Sequence, residues 1–456
     1  MGRRPSSAPQ MGWNSWDSFG TTVTEGEVLA NARFLAERLA PAGWDTVVVD
    51  IQWYEPTARA GGYNDDAPLL LDADGVQVPA PGRFPSSAGG AGFGPLAGQV
   101  HDLGLRFGIH VMRGIPRRAV DADLPVPGTP YRTGDIADRA STCPWNSDNY
   151  GLDHAHPGAQ AWLDLQIDRF VGWGVDFLKV DDMLAPYHAD AIEALALAVA
   201  RAEERHGREV TISLSPGTHL SLAHLDHLRR HADLWRISDD LWDRWDDVEA
   251  QLTRTARWAP HQGEEGWADA DMLPLGRIGV RAERGAPRDS LLTVDERRTM
   301  LSLWCLARSP LFVGGDLPTS DGGTIADLAN TDVLDVGRHS AGSRELLREG
   351  DLVVWGAEGA GPCAGVRWAG LFNTGTETLH ARVPAASAGL PAPSPHDVSS
   401  LRCGTSRGPR ESGSVTDLWT GEEVRLVPGS SETGGDAVID VEIPPHGARL
   451  LRVQPK

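Results

Sequence analysis

The chain has 456 residues, too many for one ordinary domain and enough for a barrel of about 250–320 residues with a small second domain. Its formal net charge of −21 argues against nucleic acid and anionic membrane surfaces as partners. No run of about 18 apolar residues is present to span a membrane. Cys143, Cys305, Cys363 and Cys403 are scattered without a C-x-x-C pair, so a structural zinc site is not expected and the thiols fit a reducing compartment. The opening MGRRPSSAPQ has two arginines but no apolar stretch behind them, which does not read as a secretory signal; the expected location is cytoplasmic.

Short apolar or β-branched runs alternate with amphipathic helical stretches, the rhythm of a parallel sheet. In chain order the candidate strands are Gln10–Trp13, Thr46–Ile51, Arg106–Val111, Asp176–Val180, Val210–Leu214, Leu234–Ile237, Met272–Pro274 and Leu311–Val313. Eight of them predict a closed barrel. Thr24 to Glu27 reads as a capping box that opens a helix with Val28, Leu29, Ala32 and Leu35 on its apolar face. Thr293 to Glu296 is a second box, before Met300, Leu301, Leu303 and Trp304. Ala161 to Trp173 and Ala191 to Glu204 are also amphipathic. No fixed period of 20–50 residues is present, so the chain is not a solenoid. Near Gly337 the helices stop. Leu352–Trp355, Val366–Phe372, Ala437–Ile443 and Ala448–Val453 predict an antiparallel sandwich, and Ala385 to Ser414, rich in Ser, Gly, Pro and Ala, reads as a mobile loop. The predicted fold is therefore α/β: a (β/α)₈ TIM barrel over 1–336 and a C-terminal antiparallel β-sandwich domain over 337–456.

Active sites of such barrels form at the C-terminal ends of the strands. The residues at those ends are Trp16, Asp50, His110, Asp181 with Asp182, Ser215, Asp239 with Asp240, and Asp316, while Asp271 lies beside the seventh strand. Any one Asp there reads equally well as a turn or cap residue. The concentration of acids at successive strands does not. Two carboxyl groups across a sugar ring are the minimum for glycoside hydrolysis. Lys179 and Asp181 stand two apart on one strand and so share a face, where the lysine would keep the carboxylate ionised. Asp239 and Asp240 are adjacent like charges, an arrangement that can raise one pKa toward that of a proton donor. Most of the 16 tryptophans are expected in the core, although an indole face also stacks on sugar rings.

Met11-Gly12-Trp13-Asn14-Ser15-Trp16, Val48-Val49-Asp50 with Trp53, Arg83-Phe84-Pro85, Gly172 through Asp181, Trp235-Arg236 with Asp240, Asp243 and Trp245, Asp269-Ala270-Asp271-Met272-Leu273, and Pro310-Leu311 with Gly315-Asp316-Leu317 occur in one order. Together they resemble glycoside hydrolase family 27, the α-galactosidase and α-N-acetylgalactosaminidase family, from Met11 to the end. The resemblance implies an exo-acting, retaining α-glycosidase with Asp181 as nucleophile and Asp240 as acid/base, Asp239 being the rival for the second role. It implies that Lys179 and Arg236 hold substrate hydroxyls, that Asp50 binds the far side of the ring, that Trp16 forms an apolar wall, and that Asp271 and Met272 line the pocket. The expected partner is a carbohydrate; no cofactor and no metal are expected, and a homo-oligomer is left open.

The departures from the family pattern concern sugar recognition. Ile51 replaces a second acid after Asp50, and His110 replaces a tyrosine. Met183 stands where the family has a cysteine, so the pairing with Cys143 is lost, and Asp182 replaces a small or amide residue. Ser215, followed by Pro216, stands where many α-galactosidases carry an acid. Ile115 to Asn149 is longer than the family loop. The glycone therefore stays open between an α-galactoside, a β-L-arabinopyranoside, an α-N-acetylgalactosaminide and an isomaltosyl unit. Ile51 favours a substrate that lacks or reorients a hydroxyl there. Two readings of other classes are weaker: a metal-dependent barrel enzyme using His154 and His156, and a non-catalytic sugar-binding protein.

Overall fold

The computed structural model describes residues 7–217, 219–389, 415–424, 426–428 and 437–453. Eight parallel strands form one sheet: β1 (Met11–Asn14), β2 (Thr46–Val49), β3 (Arg106–Met112), β4 (Phe177–Asp181), β5 (Thr211–Leu214), β6 (Leu234–Arg236), β7 (Trp267–Asp269) and β8 (Leu311–Val313). Their spatial order is β7-β6-β5-β4-β3-β2-β1-β8. The remaining seam closes through a single bridge, Leu273 with Val313, where the Leu273 amide donates to Phe312 O at 2.8 Å. This is the expected (β/α)₈ barrel.

The seventh strand is not Met272–Pro274. The structure puts it at Trp267–Asp269, paired with Leu234–Arg236. Asp271, with φ of 86°, turns the chain out of the strand, so only Leu273 returns to the sheet. Trp267-Ala268-Asp269 escapes a pattern search because it holds no continuous β-branched or apolar run. The second strand also stops earlier than expected, because Gln52 adopts φ of 62°.

The helices follow the apolar spacing. Helix α1 (Glu25–Arg38) opens on the Thr24/Glu27 capping box and buries Val28, Leu29, Ala32 and Leu35. After β2 comes α2 (Gly94–Asp102). Helix α3 (Pro157–Gly172) is capped by His156, whose Nδ1 accepts from Gly158 N at 3.1 Å. Thus His156 of the H-x-H sequence is a capping residue. Next come α4 (Ala189–His206), α5 (Leu225–His231) and α6 (Trp245–Trp258). Helix α7 (Val294–Ala307) opens on the Thr293/Glu296 box, and α8 is Thr331–His339. The long segment after β3 folds back as a three-stranded antiparallel sheet of Ile115–Pro116, Asn149–Leu152 and Ala137–Thr142.

Antiparallel strands begin at β9 (Ser340–Glu349), followed by β10 (Leu352–Gly359), β11 (Arg367–Asn373), β12 (Leu379–Pro384), β13 (Val415–Asp417), β14 (Leu426–Val427), β15 (Val438–Ile443) and β16 (Ala448–Val453). They form a five-stranded sheet, β9-β10-β11-β16-β13, and a three-stranded sheet, β12-β15-β14. Between the sheets lie Val354, Leu371, Val383, Ile439 and Leu451. Alternation along β11 gives its other face, Trp368 and Phe372, to the barrel core. The docking is also polar: Thr299 Oγ1 donates to His446 O at 2.7 Å, and Trp419 Nε1 donates to Ser302 Oγ at 2.8 Å. Strands β9, β12, β13 and β14 were not anticipated. Of the expected loop from Ala385 to Ser414, residues 390–414 lie outside the described residues, as does Cys403.

At the bottom of the barrel, Asp176 ties four segments together. Its Oδ2 accepts from Phe107 N at 2.9 Å and contacts His101 Nε2 at 2.7 Å, and its Oδ1 accepts from Arg208 Nη1 at 2.5 Å. Arg208 and His101 are partly exposed, so the main loss on removing the carboxyl is the partner of the buried Phe107 amide. Asp176→Ala is expected to cost about 1–2 kcal/mol of stability, read as an earlier urea midpoint; an unchanged midpoint contradicts this role.

Candidate active site

Strand geometry brings the acids together. Lys179 and Asp181 lie on one face of β4, and Asp50 follows β2, two strands away. Lys179 Nζ donates to Asp50 Oδ2 at 2.7 Å. The same oxygen accepts from Asn14 Nδ2 at 2.7 Å, while Oδ1 accepts from the Ile51 amide at 2.7 Å. Burial works against ionisation of Asp50, but Lys179, His110 and the Ile51 amide outweigh it and hold the carboxyl below its usual range. Lys179 in turn is held protonated: burial opposes its charge, and Asp50 and Asp181 more than offset that.

Asp181 is 9% exposed at the end of β4. His110 Nε2 lies 3.2 Å from its Oδ2, and the Asp182 amide donates to its Oδ1 at 3.0 Å. Burial opposes its ionisation. His110, Lys179 and the Asp182 amide outweigh that penalty and keep the carboxyl far below the usual range. His110 thus occupies the tyrosine position of the family as a direct partner of Asp181.

On the other side, Arg236 joins two carboxylates. Its Nη1 is 2.9 Å from Asp271 Oδ1, and its Nη2 donates to Asp240 Oδ1 at 3.1 Å. Asp271 also accepts from the Leu241 amide at 2.7 Å. Burial pushes the Asp271 carboxyl up, Arg236 pulls it down, and Asp240 and Asp269 push it up again; the net direction is upward.

These groups line one cavity of about 360 Å³: Trp16, Asp50, Lys179, Asp181, Arg236, Asp240, Asp271 and Met272 all face it. Trp16 stacks on Tyr63, ring centroids 5.0 Å apart. A second space of about 350 Å³ shares Lys179, Arg236, Asp271 and Met272 and adds Ser215, Phe177 and Phe312. Ser215 is 1% exposed, and its Oγ has no partner among the described residues.

Three acids at strand ends do not join the cavity lining. Asp182 turns away at φ of 61° and pairs with Arg113 at 2.7 Å. Asp239 and Asp240 are both exposed, but only Asp240 lines the cavity. Asp316 accepts from Asn31 Nδ2 at 2.9 Å and is structural. Ile51 is 1% exposed and packs in an apolar cluster with Trp16, Met112, Trp242 and Met272, against which Tyr63 and Trp145 rest. Asp17, Tyr63, Leu241 and Trp242 line the cavity but were not anticipated. Trp242 stood close to a quoted motif, whereas Tyr63 comes from an irregular loop with no pattern.

Comparison with known proteins agrees with this geometry. The family model described as alpha galactosidase A matches residues 149–339, and that of the alpha galactosidase C-terminal beta sandwich domain matches 349–453. A β-L-arabinopyranosidase of glycoside hydrolase family 27 from Geobacillus stearothermophilus is 40% identical, with 99% of this chain and 97% of that chain covered and a TM-score of 0.88. A Bacillus halodurans protein assigned provisionally as an α-N-acetylgalactosaminidase is 36% identical, with 100% and 99% covered and a TM-score of 0.83. The alpha-galactosidase of Coffea arabica is 28% identical over 392 residues, 84% of each chain. With the barrel, the sandwich and this likeness over whole chains, the chain belongs to glycoside hydrolase family 27 and is a glycoside hydrolase.

Proposed function

We propose that the enzyme is an exo-acting β-L-arabinopyranosidase working by double displacement, with Asp181 as nucleophile and Asp240 as acid/base. The observation that carries the mechanism is the convergence of both carboxyl groups on one cavity with Lys179, Asp50 and Arg236. Asp181 Oδ attacks the anomeric carbon as the bond to the leaving oxygen breaks, and Asp240 delivers the proton to that oxygen. Asp240, now ionised, takes a proton from water, whose oxygen displaces Asp181 from the anomeric carbon. The depressed pKa of Asp181 suits the first step, since the attacking group is ionised throughout the neutral range.

The glycone follows from Ile51. An α-D-galactopyranoside and a β-L-arabinopyranoside share ring configuration from C1 to C4 and differ in the hydroxymethyl group on C5. Asp50 is committed to Lys179 and Asn14, and the next side chain is an isoleucine in an apolar cluster with Trp16. A site without an acceptor there gives an extra hydroxyl nothing in exchange for its lost water. The likeness to the Geobacillus enzyme, of which one structure contains arabinose, supports the same sugar. The described cysteines Cys143, Cys305 and Cys363 are free thiols, which fits a reducing compartment, and we place the enzyme in the cytoplasm.

Initial rates on 4-nitrophenyl β-L-arabinopyranoside and α-D-galactopyranoside test the reading. The arabinopyranoside is expected to be the better substrate in kcat/KM, and equal or better cleavage of the galactoside returns the assignment to an α-galactosidase. Ile51→Asp is expected to move the preference toward the galactoside by about tenfold or more; an unmoved ratio removes Ile51 from specificity. Asp181→Ala is expected to lower kcat by about 10⁴-fold or more. Asp240→Ala is expected to lose about 10²- to 10⁴-fold, less on a dinitrophenyl glycoside, whose leaving group needs no proton. A loss independent of the leaving group assigns the acid/base elsewhere.

A further inference from the structure

Asp17 is not explained by the mechanism. It follows Trp16 in the short helix Trp16–Phe19, is 3% exposed, and lines the cavity together with Asp50, Asp181 and Asp240. Its Oδ2 is buried and has no hydrogen-bond partner among the described residues. Buried polar groups are almost always partnered, and one left alone costs about 1–3 kcal/mol. A position needed only for packing is better filled by an apolar side chain.

The surroundings hold the carboxyl where it is. The Gly279 amide donates to Asp17 O at 2.8 Å, and the neighbouring Ser18 Oγ donates to Gly314 O at 2.5 Å and Arg277 O at 3.1 Å. Room for the carboxyl comes from Gly314, where a Cβ would stand 1.9 Å from Asp17 Oδ2. Any other residue at 314 would collide with the carboxyl, so its placement rests on two strands of the barrel.

We propose that Asp17 is a substrate-binding residue whose carboxyl, on the cavity lining, hydrogen-bonds a hydroxyl of the bound sugar. Burial raises its pKa well above the ordinary carboxylate value and Asp271 adds to this; Lys179 pulls the other way, but Asp240 and Asp50 raise it further. Lys179 is already bonded to Asp50. The net direction is upward, so the carboxyl is less readily ionised than those of Asp50 and Asp181, whose shifts run downward.

The inference rests on the reading of this cavity as the sugar site, and binding separates the two questions. L-arabinose and D-galactose are titrated calorimetrically into wild type, Asp17→Ala and Asp17→Asn, alongside thermal denaturation and steady-state rates on the aryl glycosides. Asp17→Ala is expected to weaken sugar binding and raise KM about tenfold while its melting temperature stays equal or rises. Asp17→Asn, which keeps a donor and an acceptor, is expected to stay within about threefold of wild type. With monodeoxy arabinoses, the difference between wild type and Asp17→Ala is expected to vanish for one sugar, the one lacking the contacted hydroxyl. Unchanged binding in a folded Asp17→Ala overturns the proposal. So does a loss that Asp17→Asn shares in step with a lowered melting temperature, since that is a structural role. If wild type binds a monosaccharide but cleaves neither aryl glycoside, the hydrolytic assignment fails while the binding comparison still decides Asp17.

Discussion

The buried ion pair between Lys179 and Asp50 is the constraint on which the rest of the site depends. A lysine in the barrel interior carries a desolvation cost that only close countercharges offset. Asp50, 2.7 Å away, supplies one, and Asp181 supplies the other. The pair joins β4 to the end of β2, so Asp181, two residues beyond Lys179 on the same face, has its position set by the same contact. It also leaves the Lys179 charge shared by two carboxylates, Asp50, which bonds the lysine directly, and Asp181, which faces the cavity.

The cavity contains more acids than cations, and this imbalance sorts them. Asp50 and Asp181 sit close to Lys179 and His110 and stay ionised against burial. Asp17, with no donor of its own among the described residues, and Asp271, crowded by Asp240 and Asp269, are pushed upward. Arg236 keeps its charge because Asp271 and Asp240 both face it. Here burial and the placing of two cations and one imidazole divide a set of chemically identical side chains.

An apolar cluster stands beside the charges. Ile51 belongs to an apolar cluster with Trp16, Trp242 and Met272, and loop residues Tyr63 and Trp145 rest on it. The amide of Ile51 still serves the charged network by donating to Asp50. Its side chain packs in the cluster while its backbone amide fixes Asp50, so the two contacts are separate. The C-terminal sandwich lies outside this chemistry; its contacts reach α6 and α7 through Trp245 and His446, whose rings stack at 4.2 Å, and through Ser302 and Trp419.

Local pattern sufficed for much of this protein. The two capping boxes start helices where Thr24 and Thr293 stand, because the cap and its Glu are neighbours in sequence and need nothing else. Seven of the eight barrel strands are legible for a similar reason: apolar residues fully buried in a parallel sheet leave short continuous runs. The order of motifs around Asp181 and Arg236 was enough to point to the family. What needed the tertiary structure was every property arising from distant segments meeting. Trp267–Asp269 is a strand only because Leu234–Arg236 lies beside it. Asp239 and Asp240 are indistinguishable as a dipeptide, and only the direction of the chain after β6 turns Asp240 to Arg236 and the cavity and leaves Asp239 off its lining. His110 meets Asp181, and Asp17 loses its partners, through packing between strands far apart in the chain. Helix caps and buried strands are written in short-range chemistry, whereas the charge state of a buried carboxyl is the sum of neighbours that only the closed barrel brings within reach.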